Sequence, residues 1–196
     1  MSEIKVNKVS PSFGTAVQLG DSGDTFTVPP GATIVNSGTA TGFGGGGKIL
    51  QVLQVTKTDV TSMATNNWVD ITGMSQVITP STTGSKVLVI ADCITSGPSG
   101  VMAKLLRDTT DIGIGDADGS RERVSFGSTD GKGGSQAEPW TIIWLDSPST
   151  TSATTYKLQW RAQGAGTHYL NRVANDVDNT SYVRSVSTLT LMEIGA

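Results

Sequence analysis

The chain has 196 residues, 36% of them hydrophobic and 16% charged, with a formal net charge of −3. That balance excludes the basic footprint of a nucleic-acid binder, and no apolar run reaches the roughly 18 residues of a membrane-spanning helix. Cys93 and His168 are the only cysteine and histidine, which rules out intrachain disulfides, cysteine-rich metal sites and histidine clusters; no cofactor or metal is expected.

The opening MSEIKVNKVSPSFG has no apolar core of the kind a secretory signal needs, so none is expected. The residue types also set the fold class. There are 18 Val, 12 Ile and 27 Thr against 4 Glu and 11 Leu. β-branched side chains lose rotamer freedom in a helix and sit well on a pleated sheet, so an all-β chain is predicted.

Residues 1–47 read as an N-terminal shaft or attachment arm. Their apolar groups come in short pieces: Ile4, Val6, Val9, Phe13, Val17 and Leu19, then Phe26 and Val28, then Ile34 and Val35. Turn chemistry separates the pieces at Gly20–Asp24, Pro29–Gly31 and Asn36–Gly38. Such short strands close no core alone, so Phe26, Val28 and Ile34 are expected to be covered by other copies of the chain or by a larger assembly. The GFGGGG run at 42–47 is expected to act as a hinge.

Residues 48–196 read as a head domain of about ten strands. The predicted strands are Lys48–Thr56, Trp68–Thr72, Met74–Thr79, Lys86–Ile94 and Val101–Arg107, then Arg121–Phe126, Trp140–Leu145, Thr155–Gln163, Thr167–Arg172 and Tyr182–Ile194. A turn is expected at Gly73, and Val101–Arg107 also fits a helical turn. The spacing of strands and turns is that of an antiparallel sandwich or jelly roll, not of βαβ units. Tyr156, Leu158, Trp160 and Ala162 alternate with Lys157, Gln159, Arg161 and Gln163, giving one dry and one wet face. In WTIIWL, Trp140, Ile142 and Trp144 take one face, but Ile143 and Leu145 make the other apolar too. A strand that is apolar on both faces needs a cover. A neighbouring subunit is the expected one, and a loop folding back is the alternative. Trp140, Ile143 and Leu145 are therefore expected at an oligomer interface.

Motifs that carry chemistry fail one by one. The run from Gly42 to Lys48 matches a phosphate loop until Ile49, which has no hydroxyl for magnesium and follows no helix start. Gly20-Asp21-Ser22-Gly23 resembles a serine-hydrolase neighbourhood, but His168 stands in the wrong order and Ala165 takes the place of the required acid. Asp116-Ala-Asp118-Gly119 opens like a calcium loop, whose closing carboxylate falls at Gly127; a turn-stabilising pair is expected instead. No carboxylate pair has acid/base placement, so the chain is not expected to be an enzyme.

Two stretches carry a family likeness. VQLGDSGDTFTVPPGATIVNSGTATGFG (Val17–Gly44) resembles a segment of tail-fibre and related virion proteins of marine podoviruses and other phages. LDSPSTTSATTYKLQWRA (Leu145–Ala162), with STLTLMEI (Ser187–Ile194), looks like the globular heads that end such fibres. The resemblance implies a homotrimer with an intertwined β shaft and tumour-necrosis-factor-like jelly-roll heads. It implies a virion structural protein on the exterior of the particle, its arm attached to other virion proteins and its head contacting a host glycan or receptor. The chain is much shorter than a usual tail fibre, which leaves a capsid or tail decoration protein as the alternative; a glycan-cleaving enzyme is the alternative of another class. Loops far from the shaft and the residues Arg121, Arg123, His168, Tyr169 and Arg172 are the expected receptor contacts.

Overall fold

The computed structural model describes residues 9–18, 21–25, 27–33 and 48–195, without the side chains of 130 and 132–135. Contacts divide the chain into two units, Met1–Gly45 and Gly46–Ala196.

In the first unit, two of the predicted turns form. Asp24 N donates to Asp21 O at 3.0 Å, and Ala32 N donates to Pro29 O at 3.1 Å. No strand is present among its described residues. Val28 is exposed within the chain, as are Val9, Phe13 and Val17. Phe26, Ile34 and the glycine run at 42–47 lie outside the described residues.

The second unit is all β. Its strands are β1 (Ile49–Lys57), β2 (Thr61–Met63), β3 (Val69–Ile78), β4 (Lys86–Ser99), β5 (Val101–Arg107), β6 (Thr110–Ile112), β7 (Phe126–Gly127), β8 (Asp130–Asp146), β9 (Thr154–Ala162), β10 (His168–Leu170) and β11 (Ser187–Ile194). All pairings are antiparallel. The first sheet runs β1-β11-β4-β8, with β10 and β2 continuing beside the far half of β4; the second runs β3-β9-β5, with β6 and β7 on the free edge of β5. Successive long strands cross between the sheets, which is the jelly-roll arrangement expected from the sequence. Each inner face is lined by alternate residues: Val87, Val89, Ala91, Cys93, Leu189 and Leu191 from one sheet, Ile71, Leu105, Tyr156, Leu158 and Trp160 from the other. The dry face read from Tyr156 to Ala162 is buried throughout.

The register also fixes two poles. Lys48 enters beside the end of β11, where Gly195 N donates to Lys48 O at 2.8 Å. At the opposite pole lie the β1–β2 connection, the β4–β5 link and the long connection from β10 to β11. The β4–β5 link is one residue, Gly100, and a Cβ there would stand 1.8 Å from the Ser128 carbonyl oxygen. Only glycine fits.

Several predicted boundaries move. The expected turn at Gly73 is a bulge within the single strand β3, where pairing with β9 shifts between Asp70 and Ser75 and Gly73 takes φ +84. Val101–Arg107 is a strand, not a helical turn. Arg121–Phe126 shrinks to the short β7, because Arg121 folds back on Asp118. Tyr182–Ile194 shortens to β11, since Arg184 and Ser185 close a loop on Arg172 and Asn171 instead of pairing with a sheet.

Candidate functional site

The outer face of the first sheet is the first candidate. Directly opposed residues share a face, so the register reads as rows across four strands. Val52, Met192, Leu88 and Leu145 form one row that is apolar from edge to edge. The next row, toward the far pole, is Gln54, Thr190, Ile90 and Ile143, and the next is Thr56, Thr188, Asp92 and Thr141. Hydrogen bonds lace the polar members: Gln54 Nε2 donates to Thr190 Oγ1 at 2.7 Å and Thr141 Oγ1 donates to Asp92 Oδ1 at 3.1 Å. The face is thus graded, oily near Lys48 and polar beyond. Val52 is 53% exposed, Ile143 66% and Leu145 48%. Among the described residues no loop of this unit folds over them. Trp140, expected at the oligomer interface with Ile143 and Leu145, is instead 3% exposed. It points into the core, stacked on Phe126 at 5.2 Å with its Nε1 donating to Thr95 Oγ1. Strand alternation sends it to the face opposite Ile143.

The second candidate is the connection between β10 and β11. Residues 171–186 contain no strand, and a loop of such length in a compact domain is commonly a functional one. An isolated bridge joins Arg172 to Arg184 at its base. The Asp176 carboxylate ties the two arms, pairing with Arg172 and with Arg184 Nη2 at 2.5 Å. The Arg184 hydrogen bond and the Arg172 charge hold its carboxyl below the ordinary range. The Arg172 guanidinium also lies 3.7 Å over the Tyr169 ring. Beyond this clamp, Asp176–Asn179 and Tyr182–Arg184 line an open cavity of about 310 Å³.

The expected receptor residues separate. Tyr169 and Arg172 sit together at the loop base, whereas Arg121 and Arg123 are exposed on the β6–β7 connection, bound locally to Asp118 and to the Gly115 carbonyl. His168 is 0% exposed and touches no solvent. Its Nδ1 faces Gly166 O at 3.2 Å, and its Nε2 lies 2.9 Å from Ser99 O and 3.1 Å from Ser99 Oγ. It is therefore not a surface contact, since its alternation on β10 turns it inward. Among the described residues no carboxylate orients the ring of the Ser99–His168 pair, as a nucleophilic triad requires.

Three polar groups that sequence reasoning missed hold these surfaces in place. Asn171, buried at φ +66, donates from Nδ2 to Lys57 O and Asp59 O and accepts from Ser187 Oγ at 2.6 Å. Asp146 accepts from Arg107 at 2.9 Å and from the Tyr156 hydroxyl at 2.6 Å; burial, then Asp146, pushes the Tyr156 phenol up. Glu193 accepts from Ser81 N at 2.7 Å, Ser81 Oγ at 2.6 Å and Gln51 Nε2 at 2.6 Å. Burial pushes its carboxyl up, but these hydrogen bonds prevail and bring it down to about 2. Among the described residues no three His, Cys, Asp or Glu converge as a metal site, and no helix is long and apolar enough to cross a membrane.

No family model matches the chain, and no curated protein matches it. Among solved structures, it is similar to one described as "Structure of infectious bursal disease virus Gx strain", at 14% identity and a TM-score of 0.35. The likeness covers 74% of this chain and 40% of that one. A likeness at that level says nothing of what this chain does.

Proposed function

We propose that the protein is a phage virion structural protein, a short trimeric fibre whose jelly-roll head projects from the particle and meets a host-surface glycan or receptor. The row Val52, Met192, Leu88 and Leu145 carries the reading. An apolar row across all four main strands of a sheet, left uncovered by its own domain, is the surface of a subunit contact. Closed symmetry covers it on every copy at once. The threefold count comes from the likeness to phage fibres, as do the exterior location and the attachment of the N-terminal arm to other virion proteins. The role is binding and not catalysis, in keeping with a Ser99–His168 pair that meets no orienting acid among the described residues. Neither nucleic acid nor membrane is a partner.

Sedimentation of the full chain at micromolar concentration tests it. The mass of three chains is expected; a stable single chain overturns the proposal.

A further inference from the structure

We infer that the cavity in the β10–β11 loop is a binding site for an uncharged saccharide. The site deepens the host-attachment role proposed above and rests on it. The cavity, about 310 Å³, falls at the small end of ligand pockets, roughly 300–1,000 Å³. Tyr182 offers a ring face and a hydroxyl. Asp178 offers a carboxylate that pairs with no described residue. Asn179 spends its Oδ1 on Ser181 N at 2.9 Å, which leaves its amide hydrogens to donate outward. A ring beside a carboxylate and an amide suits a molecule with C–H faces and adjacent hydroxyls.

Charge narrows the class. The two guanidiniums of Arg172 and Arg184 balance the carboxylates of Asp176 and Asp178, so the cavity carries no excess charge to pair with an acidic sugar. An apolar ligand would strip water from the carboxylate and amide without replacing their hydrogen bonds. The clamp keeps the walls in place before any ligand arrives, so less ordering is required on binding. Arg172 Nε and Ser185 Oγ, at the base, are buried with no hydrogen-bond partner, so the loop's own packing does not satisfy all of its polar groups. Position agrees with this chemistry. The loop stands at the pole away from Lys48, where the outer face of the first sheet has turned polar, so association through the apolar rows leaves it open. Several copies then multiply a weak contact by about 10²–10⁴ through avidity.

The test is saturation-transfer NMR on the full-length protein with a panel of uncharged methyl glycosides and, separately, sialic acid. Transfer from the protein to at least one neutral glycoside is expected, with affinity lowered tenfold or more in both Tyr182→Ala and Asp178→Asn. Circular dichroism confirms that both variants keep their β signal, and sedimentation on the same samples reads assembly separately from sugar binding. Three outcomes overturn the site: no transfer to any neutral glycoside, unchanged affinity in both variants, or tighter binding of sialic acid. A monomer that still binds the sugar defeats the trimer and spares the site.

Discussion

The two sheets of the jelly roll share one core and differ on their outer faces. On the second sheet the charged outward side chains of the central strands have polar partners. Lys157 pairs with Asp70 at 2.9 Å, Gln159 donates to Asp70 at 2.7 Å, Lys104 pairs with Asp111 at 2.7 Å and Arg161 pairs with Glu122 at 3.1 Å. Lys104 also lies 4.5 Å from the Trp68 ring centre. On the first sheet the corresponding positions are Val52, Met192, Leu88, Ile90, Ile143 and Leu145. An antiparallel sandwich usually wets both outer faces. The second sheet presents a largely charged and polar surface, and the first an exposed apolar row. The same backbone pattern thus serves two ends, and outward residues alone decide which.

The sharpest way to break that contrast is to charge one face and then the other. Leu88→Glu places a carboxylate in the middle of the apolar row and is expected to weaken association at least 100-fold, about 3 kcal/mol, as read by sedimentation. Gln159→Glu, the matching change on the second sheet, is expected to leave the mass unchanged. If both variants assemble normally, the outer face of the first sheet is not the contact.

A second test asks what holds the far pole against the sheets. Asn171→Ala leaves the carbonyls of Lys57 and Asp59 and the Ser187 hydroxyl without their partner and puts a Cβ-bearing residue with no stabilising side chain at φ +66. A loss of roughly 2–4 kcal/mol in urea unfolding is expected. Asn171→Gly is expected to lose less, because glycine tolerates the left-handed backbone. Equal losses would show that the backbone conformation contributes nothing.

Glu193 adds a pH test at the Lys48 pole. Its carboxyl lies near 2 in the folded chain against an ordinary 4.5. A depressed folded value stabilises the protein above the unfolded pKa and is lost as pH falls through the folded one. Wild-type stability is expected to decline between about pH 5 and pH 2, by on the order of 2–3 kcal/mol from this group. Glu193→Gln removes that share of the decline, and an unchanged acid limb in the variant would assign it elsewhere. The smallest effect belongs to the second sheet. Asp70 is largely exposed, its carboxyl lowered by the Lys157 and Gln159 hydrogen bonds, and Asp70→Asn is expected to cost no more than about 1 kcal/mol.

How far the sequence was legible follows from how local each signal is. Strict alternation from Tyr156 to Ala162 is a property of neighbouring residues, and it gave the strand and its dry face together. The two-sided apolar character of Ile143 and Leu145 was legible for the same reason. Alternation put Trp140 on the face opposite those two, where it lies, and its expected place at the interface failed because that face is the core. Residues 182–186 were expected within the last strand, but their backbone is captured by Asn171 and Arg172, a contact that periodicity does not record. His168 was expected among the receptor contacts; the Ser99 carbonyl that holds it inside arrives from another strand. Asn171, whose partners lie up to 114 residues away, left no local trace. Charge pairing across the loop, Arg172 and Arg184 on Asp176, depends on a loop path that no periodicity records.

Cys93 has a practical consequence. It is the only cysteine, it is sealed within the core, and burial pushes its thiol up to about 12. Thiolate is the reactive form, so the native chain is silent toward maleimides near neutral pH. A cysteine installed at Val52 or Ile143 would take up a probe alone, with no background to engineer away. Spin labels at such a position would show whether copies meet there, and the pattern of any distances would count them.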